Sequence, residues 1–293
     1  MSRVHDALRK AEQFPITPAG ATGPVPAPEA HPSPVPVYPQ PELSSHVKLD
    51  RPVELTELLS KARRIPFDPA PELHLIDGSK SHEMPGEEFR SLRTRLNHLK
   101  SQQRLTSLVI TSASPAEGKT FTAVNLALVQ AQLSENAVLL ADIDLRRPTI
   151  HSLFQTDRTP GFSDYILGDA PLDQCIRKVG DTNLYFMPAG TPVRNPLELL
   201  NLRHVRTTIE SLPKLFNWFI IDSPPLLFSA DANLLSTLTD GTVIVVRIGA
   251  TTFDNITRAT QTLCENNVVG IVVNGARATE LYSKYTYYYS KHD

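Results

Sequence analysis

The residues Ala113-Ser114-Pro115-Ala116-Glu117-Gly118-Lys119-Thr120 follow an apolar run and lead into a helical pattern. That order suits a phosphate ligand. Amides at a loop and helix start point at phosphate oxygens, and the helix dipole adds favourable potential. Lys119 would reach the β- and γ-phosphates, and the Thr120 hydroxyl would hold Mg²⁺. The loop departs from the strict GxxxxGK[ST] pattern, because Ala113 stands at its first glycine. Taken alone, Gly-Lys-Thr also suits an ordinary turn.

Two further apolar runs end in acids. Val138-Leu139-Leu140-Ala141 leads into Asp142-Ile143-Asp144-Leu145-Arg146, and Phe219-Ile220-Ile221 leads into Asp222. A carboxylate at a strand's carboxyl end, beside a phosphate loop, can bind Mg²⁺ or its waters. Such an acid is otherwise often a turn or cap residue. Asp142 and Asp144 lie two apart and point the same way in an extended segment. Asp142 is the first choice for a general base that accepts a hydroxyl proton. Asp144 and Asp222 would join Thr120 around the metal. Asp144 could instead be a structural partner of Arg146 or Arg147.

Five of the eight tyrosines fall close together, at Tyr282, Tyr285, Tyr287, Tyr288 and Tyr289. No aliphatic residue follows Leu281. A core strand would mix in Val, Ile or Leu. A tail of hydroxyl acceptors explains the composition better.

These residues need a frame. Segments 105–112, 137–142, 184–187, 218–222, 242–247 and 268–274 read as strands. Phe89, Leu92, Leu96 and Leu99 mark an amphipathic helix, and 119–133, 196–212 and 253–265 suit further helices. The alternation predicts an α/β fold with a mostly parallel sheet and helices on both faces. Ligands of such sheets bind at the carboxyl ends of strands. Ahead of this frame the composition changes. Ten prolines fall between Pro15 and Pro41, which favours an extended, irregular spacer. Val4, Ala7, Leu8 and Ala11 share a helical face at the start, and either a docking peptide or a frayed end fits them. The expected organisation is a short amphipathic helix at 1–14, a Pro-rich disordered linker at 15–80, a nucleotide-binding domain at 81–278 and a tyrosine-rich tail at 279–293.

The bulk numbers exclude some classes. A net charge of −2 over 293 residues gives no overall basicity for nucleic acid. Two cysteines far apart make a disulfide framework or zinc site unexpected. No apolar run has the length of a membrane span, and the first residues lack a signal peptide's apolar centre. A cytoplasmic location is expected, with any membrane association made through a partner.

Residues 84–293 resemble the bacterial tyrosine kinases of capsular and exopolysaccharide synthesis. The resemblance rests on segment 111–120 as Walker A, Asp142-Ile143-Asp144-Leu145-Arg146-Arg147-Pro148 as Walker A′, and Ile221-Asp222-Ser223-Pro224-Pro225 as Walker B. Pro160-Gly161-Phe162-Ser163-Asp164, Met187-Pro188-Ala189-Gly190 and Asn195-Pro196-Leu197-Glu198-Leu199-Leu200 also match. The resemblance implies a P-loop NTPase-type fold and an ATP- and Mg²⁺-dependent tyrosine autokinase. The catalytic set would be Lys119, Asp142, Asp144 and Asp222, and the acceptors the five clustered tyrosines. Nucleotide contacts would come from Ser114, Pro115, Ala116, Glu117, Gly118, Lys119, Thr120 and Phe121, with Asn274 at the adenine, although Asn274-Gly275 also suits a strand-end turn. Glu87, Arg90 and Arg93 match an ExxRxxR helix that contacts neighbouring copies in a homo-oligomer, although Glu87 and Arg90 also suit a surface ion pair. Implied partners are a membrane-embedded polysaccharide co-polymerase of the chain-length-determinant type and a cognate tyrosine phosphatase. The first residues resemble long-tailed members of exosortase-linked systems. Ala116 stands where the family usually has Gly, which bears on ATP affinity. Two alternatives share the same residues: a partitioning-type ATPase, which the tyrosines and the absence of an early loop lysine oppose, and a nucleotide-binding scaffold of the export complex.

Overall fold

The computed structural model describes residues 59–76, 85–263 and 268–276. The amphipathic segment 1–14 and all five clustered tyrosines lie outside them. Eight strands form one sheet in the order β1-β4-β5-β3-β6-β2-β7-β8. They are β1 (Arg63–Ile65), β2 (Ser107–Ser112), β3 (Val138–Asp142), β4 (Arg177–Val179), β5 (Leu184–Met187), β6 (Trp218–Asp222), β7 (Gly241–Arg247) and β8 (Val268–Asn274). β5, β3, β6, β2, β7 and β8 are mutually parallel. β4 runs antiparallel to β5, and β1 follows β4 in parallel, so these two oppose the rest.

The central strands are apolar throughout because both of their faces are covered. Every residue of β2, β3, β5 and β6 is buried. On one face Leu108, Ile110, Leu140, Ile220 and Val243 pack with Phe89 and Leu96 of α1 (Gly86–Gln102) and with Ala123, Val124 and Ala127 of α2 (Lys119–Ala131). On the other, Val109, Leu139, Ala141, Phe219 and Ile221 pack with residues of the helices beyond. The covering helices on that side include α6 (Pro196–Leu200), α7 (Arg203–Ser211) and α8 (Ala230–Leu238), while Ile244 and Val246 meet Ala259 of α9 (Phe253–Thr262). Three one- to two-turn helices, α3 (Ile150–Leu153), α4 (Phe162–Leu167) and α5 (Leu172–Cys175), lie between β3 and β4.

Three expectations change. Segment 196–212 is two helices, because Leu202 is extended, with φ −61° and ψ 140°. The Pro-rich linker, expected to run to residue 80, reaches the fold earlier: Arg63–Ile65 is a strand and Ile65 is buried. Phe67 then meets Phe154 edge-on, and Ile76 N donates to Asn125 Oδ1 in α2 at 2.8 Å. Strand β4 was not expected at all. Among the described residues, no helix is long and apolar enough to cross a membrane.

The order places β2 between β6 and β7, whereas the chain goes from β2 first to β3. This reversal opens a crevice at the carboxyl ends of β2, β3 and β6, the usual ligand position in an open α/β sheet.

Candidate active site

The loop leaving β2 turns tightly over the head of α2. Two residues take the left-handed backbone, Ala116 at φ 62° and Gly118 at φ 98°. At Ala116 a Cβ is present, at a cost of about 1 kcal/mol relative to Gly. The turn is braced from several sides. Glu117, only 3% exposed, accepts Ser114 N at 2.9 Å on Oε2 and the Thr251 hydroxyl at 2.6 Å on Oε1. Arg247 donates to Ala116 O at 3.0 Å, and Asn274 Nδ2 to Glu117 O at 3.0 Å. Glu117 therefore supports the loop from within. Apart from the Ser114–Glu117 bond inside the loop, these braces have no local sequence signature, since each joins segments more than a hundred residues apart.

Lys119 and Thr120 begin α2 and face the two acidic strand ends. Lys119 Nζ lies 2.8 Å from Asp144 Oδ2 and 3.7 Å from Asp222 Oδ1. Thr120 Oγ1 donates to Asp222 Oδ2 at 2.6 Å. Asp142 and Asp222 are register partners on β3 and β6. Asp142 has no exposure, and its Oδ2 accepts Thr149 N and Ile150 N, both at 3.0 Å. Its Oδ1 and the Oδ1 of Asp222 are buried without a hydrogen bond.

Crowded carboxylates in a dry site resist ionisation. Burial pushes Asp142 up to about 8, Asp222 adds to this, and the Ile150 amide partly offsets it. Burial likewise raises Asp222 to about 6, against the pull of Lys119 and the Thr120 hydroxyl. For Lys119, burial opposes the charged form, but Asp222 and Asp144 outweigh it and hold the ammonium above its ordinary value.

Arg146 does not pair with Asp144. It grips Asp231, which is 1% exposed, through Nε at 2.7 Å and a second nitrogen at 3.1 Å. Asp144 Oδ1 instead accepts Arg147 N at 3.1 Å. The grip ties the segment after β3 to the first turn of α8, which follows the segment after β6. Nothing in the sequence links positions 146 and 231; Asp231 is a first-turn acid of a helix capped by Ser229, whose side chain accepts Asp231 N.

Other matched stretches interlock at the carboxyl end of β5. Phe162 N and Ser163 N donate to Pro188 O and Ala189 O, and Asp164 Oδ2 accepts Gly161 N and Thr191 N. A Cβ on Gly161 would come within 2.2 Å of Pro188 O, so only Gly fits that crossing.

Glu87, Arg90 and Arg93 all lie on α1. Arg90 pairs with Glu87 at 3.2 Å, but Arg93 turns inward to Val129 O, at the end of α2, at 2.8 Å. A cleft of about 450 Å³ opens beside this helix, lined by Phe89, Leu92, Phe121 and Thr122 and by Val272–Ala276 of the last strand and its exit. Asn274 joins this cleft to the loop. Among the described residues no three His, Cys, Asp or Glu side chains converge as a metal cage. Thr120 with the unbonded oxygen of Asp222 fits Mg²⁺, which takes one or two protein ligands and completes its shell with phosphate and water.

No family model matches the chain. It is 32% identical over 220 residues to the tyrosine-protein kinase YwqD of Bacillus subtilis, covering 74% of this chain and 92% of that protein. The chain belongs to the bacterial tyrosine kinase family. It is also 34% identical over 201 residues to the tyrosine-protein kinase etk of Escherichia coli, of whose length this match spans 28%. Among solved structures, the kinase domain of Escherichia coli ETK superposes with a TM-score of 0.64 at 29% identity, over 73% of this chain and 89% of that one. The BceF tyrosine kinase domain gives 0.60 at 29% identity, over 73% and 93%. The sheet and helix layers are thus those of a bacterial tyrosine kinase, a nucleotide-binding enzyme.

Proposed function

We propose that this kinase transfers the γ-phosphoryl group of ATP to its own clustered tyrosines, Tyr282, Tyr285, Tyr287, Tyr288 and Tyr289, and does so between subunits. The observation that carries the reading is the convergence of Lys119, Thr120, Asp144 and Asp222 at the head of α2. Lys119 leaves Asp144 for the phosphates and neutralises charge on the transferring group. Thr120, Asp144 and Asp222 hold Mg²⁺ directly or through water; bound there, the ion supplies further neutralisation of phosphate charge. The cleft beside Phe121 and Asn274 receives the base of the nucleotide. In the transfer, the tyrosine oxygen bonds to the γ-phosphorus, the bond to the β–γ bridging oxygen breaks, and ADP leaves. Asp142 accepts the phenolic proton. Its Oδ1 is the carboxylate oxygen left without a hydrogen bond, and the buried site must open for a tyrosine hydroxyl to reach it.

The family resemblance supports a role in exopolysaccharide or capsule export. There it acts at the cytoplasmic face of the membrane, through a separate co-polymerase of the chain-length-determinant type, with a phosphatase resetting it. Glu87, exposed on α1, is a better candidate for contacts between copies than Arg93, with Arg90 as its half-buried partner.

The test mixes two proteins. One carries Lys119→Met and keeps its tyrosines; the other keeps its active site and has all five clustered tyrosines changed to Phe. With Mg·ATP and the activating partner's cytoplasmic segment, phosphotyrosine should appear on the Lys119→Met chains. No label on them refutes transfer between subunits, and no label on wild-type protein under the same conditions refutes the kinase reading.

A further inference from the structure

Peptide planes decide which way the amides of a phosphate loop point. In a trans peptide, the carbonyl and the N–H that follows it lie on opposite sides of one plane. The peptides joining Ala116, Glu117 and Gly118 are trans. Arg247 holds Ala116 O at 3.0 Å, so the N–H of Glu117 is turned to the opposite side. Asn274 Nδ2 holds Glu117 O at 3.0 Å, so the N–H of Gly118 is turned away from Asn274 in the same manner. Neither N–H has a hydrogen-bond partner among the described residues. Left-handed residues beside right-handed ones gather successive N–H groups into an anion-binding concavity. Ala116 and Gly118 are both left-handed.

The groups around this concavity are already engaged. Ser114 N donates to Glu117 Oε2 at 2.9 Å, and Pro115 has no N–H. Glu117 Oε1 accepts the Thr251 hydroxyl at 2.6 Å, so both oxygens of this carboxylate are occupied. The Thr251 hydroxyl oxygen in turn accepts Arg247 N at 2.8 Å, and Thr251 N donates to Arg247 O at 2.9 Å. The connection after β7 is therefore a closed turn, and both of its ends reach the phosphate loop. Arg247 reaches a carbonyl, and Thr251 reaches a carboxylate.

We propose that Arg247 and Thr251 are positioning residues for nucleotide binding. Arg247 aims the Glu117 N–H at the phosphates, and Thr251 locks the Glu117 side chain that fixes the turn. Neither touches the nucleotide. Glu117 contributes its amide and not its carboxylate, and the amides left for phosphate are those of residues 116–120. A donor held in place before the ligand arrives costs no ordering on binding. Such amides grip the phosphates in the ground state and the transition state alike, so loss of their aim raises KM and leaves kcat nearly unchanged. Both roles rest on the proposed reading of this loop as the ATP site.

The experiment compares full-length protein with Arg247→Met, Thr251→Val and Thr251→Ser. Affinity for Mg·ADP is measured by titration calorimetry, and KM and kcat by phosphotyrosine formation at varied ATP. Arg247→Met and Thr251→Val should each bind Mg·ADP about 5- to 10-fold more weakly, the size of one lost hydrogen bond. The KM for ATP should rise to a similar degree, with kcat within about twofold. Thr251→Ser keeps the hydroxyl and should bind as the wild type does. Arg247 is exposed, so Arg247→Met keeps the core intact and the test holds even where Thr251→Val lowers stability. Wild-type affinity in Arg247→Met or in Thr251→Val overturns the proposal. So does a fall in kcat at unchanged KM, which would put Arg247 in the chemistry, and so does Thr251→Ser binding as weakly as Thr251→Val. A wild type that binds no Mg·ADP removes the nucleotide reading and this proposal with it. Weakened binding in the variants, without phosphotyrosine in any protein, leaves the positioning roles standing and removes the autokinase reading.

Discussion

Asn274 sits where a side chain on Gly118 would be. A Cβ at Gly118 would come within 1.9 Å of Asn274 Nδ2, and that nitrogen donates to Glu117 O at 3.0 Å. The end of the last strand and the start of the phosphate-loop helix are therefore fitted to each other. Gly118→Ala meets both this clash and the φ of 98°. It should lower stability by about 2–3 kcal/mol and weaken nucleotide binding at least tenfold. Adding Asn274→Ala removes the clash but not the backbone strain. The double variant should be more stable than the sum of the single effects, as judged by urea denaturation. Strict additivity would mean that the two residues do not compete for the space.

Lys119→Met keeps most of the bulk and removes the charge. Autophosphorylation should fall on the order of 100-fold or more, by analogy with deleting one transition-state donor. The same change leaves Asp144 and Asp222 without their shared cation. Wild-type phosphotyrosine formation in this variant would remove the proposed site.

The acids predict a pH dependence of the nucleotide-free protein. Asp142 is raised from 3.8 to about 8 and Asp222 from 3.8 to about 6. A raised carboxyl favours folding while it is protonated, so its contribution is complete below about pH 4 and is lost as pH climbs through the folded value. Stability should therefore decline from about pH 4 to about pH 8, by roughly 5 kcal/mol over the part above pH 5, and level off above. Asp142→Asn removes the upper part of that decline. Urea midpoints from pH 5 to pH 9 measure it, and a profile that rises over this range would contradict the burial argument.

The three polar residues of α1 should separate by assay. Arg93→Ala loses the bond to Val129 O and should lower stability by about 1–2 kcal/mol. Glu87→Ala removes the exposed member of its pair with Arg90 and should change stability by less than about 0.5 kcal/mol. If this helix meets a neighbouring copy, Glu87→Ala nevertheless lowers the mass seen by light scattering. Unchanged mass would take Glu87 out of the contact.

The central strands were legible because each is a continuous apolar run whose end carries a distinctive polar residue, as in Val138–Asp142 and Trp218–Asp222. Lys119 and Thr120 were legible for the same reason, since loop and helix adjoin in sequence. Strands β1 and β4 were not. At three residues each, RRI and RKV, they show no pattern apart from their pairing with each other and with β5. The break at Leu202 was hidden because 196–212 is free of Gly and has its one Pro at the first position, where helices tolerate it. Arg146–Asp231 and Glu117–Thr251 depend on separations of 85 and 134 residues. No local reading of propensity reaches that far.

The two borders of the sheet differ in kind. β8 offers seven uncharged residues, while β1 offers three, two of which are arginines whose side chains are 70% and 62% exposed. A sheet that grows from molecule to molecule needs two competent borders, one to give and one to receive. Here the charged border refuses the next copy. Among the described residues, pairing through β8 would therefore stop at two molecules, and the sheet would not grow into a filament.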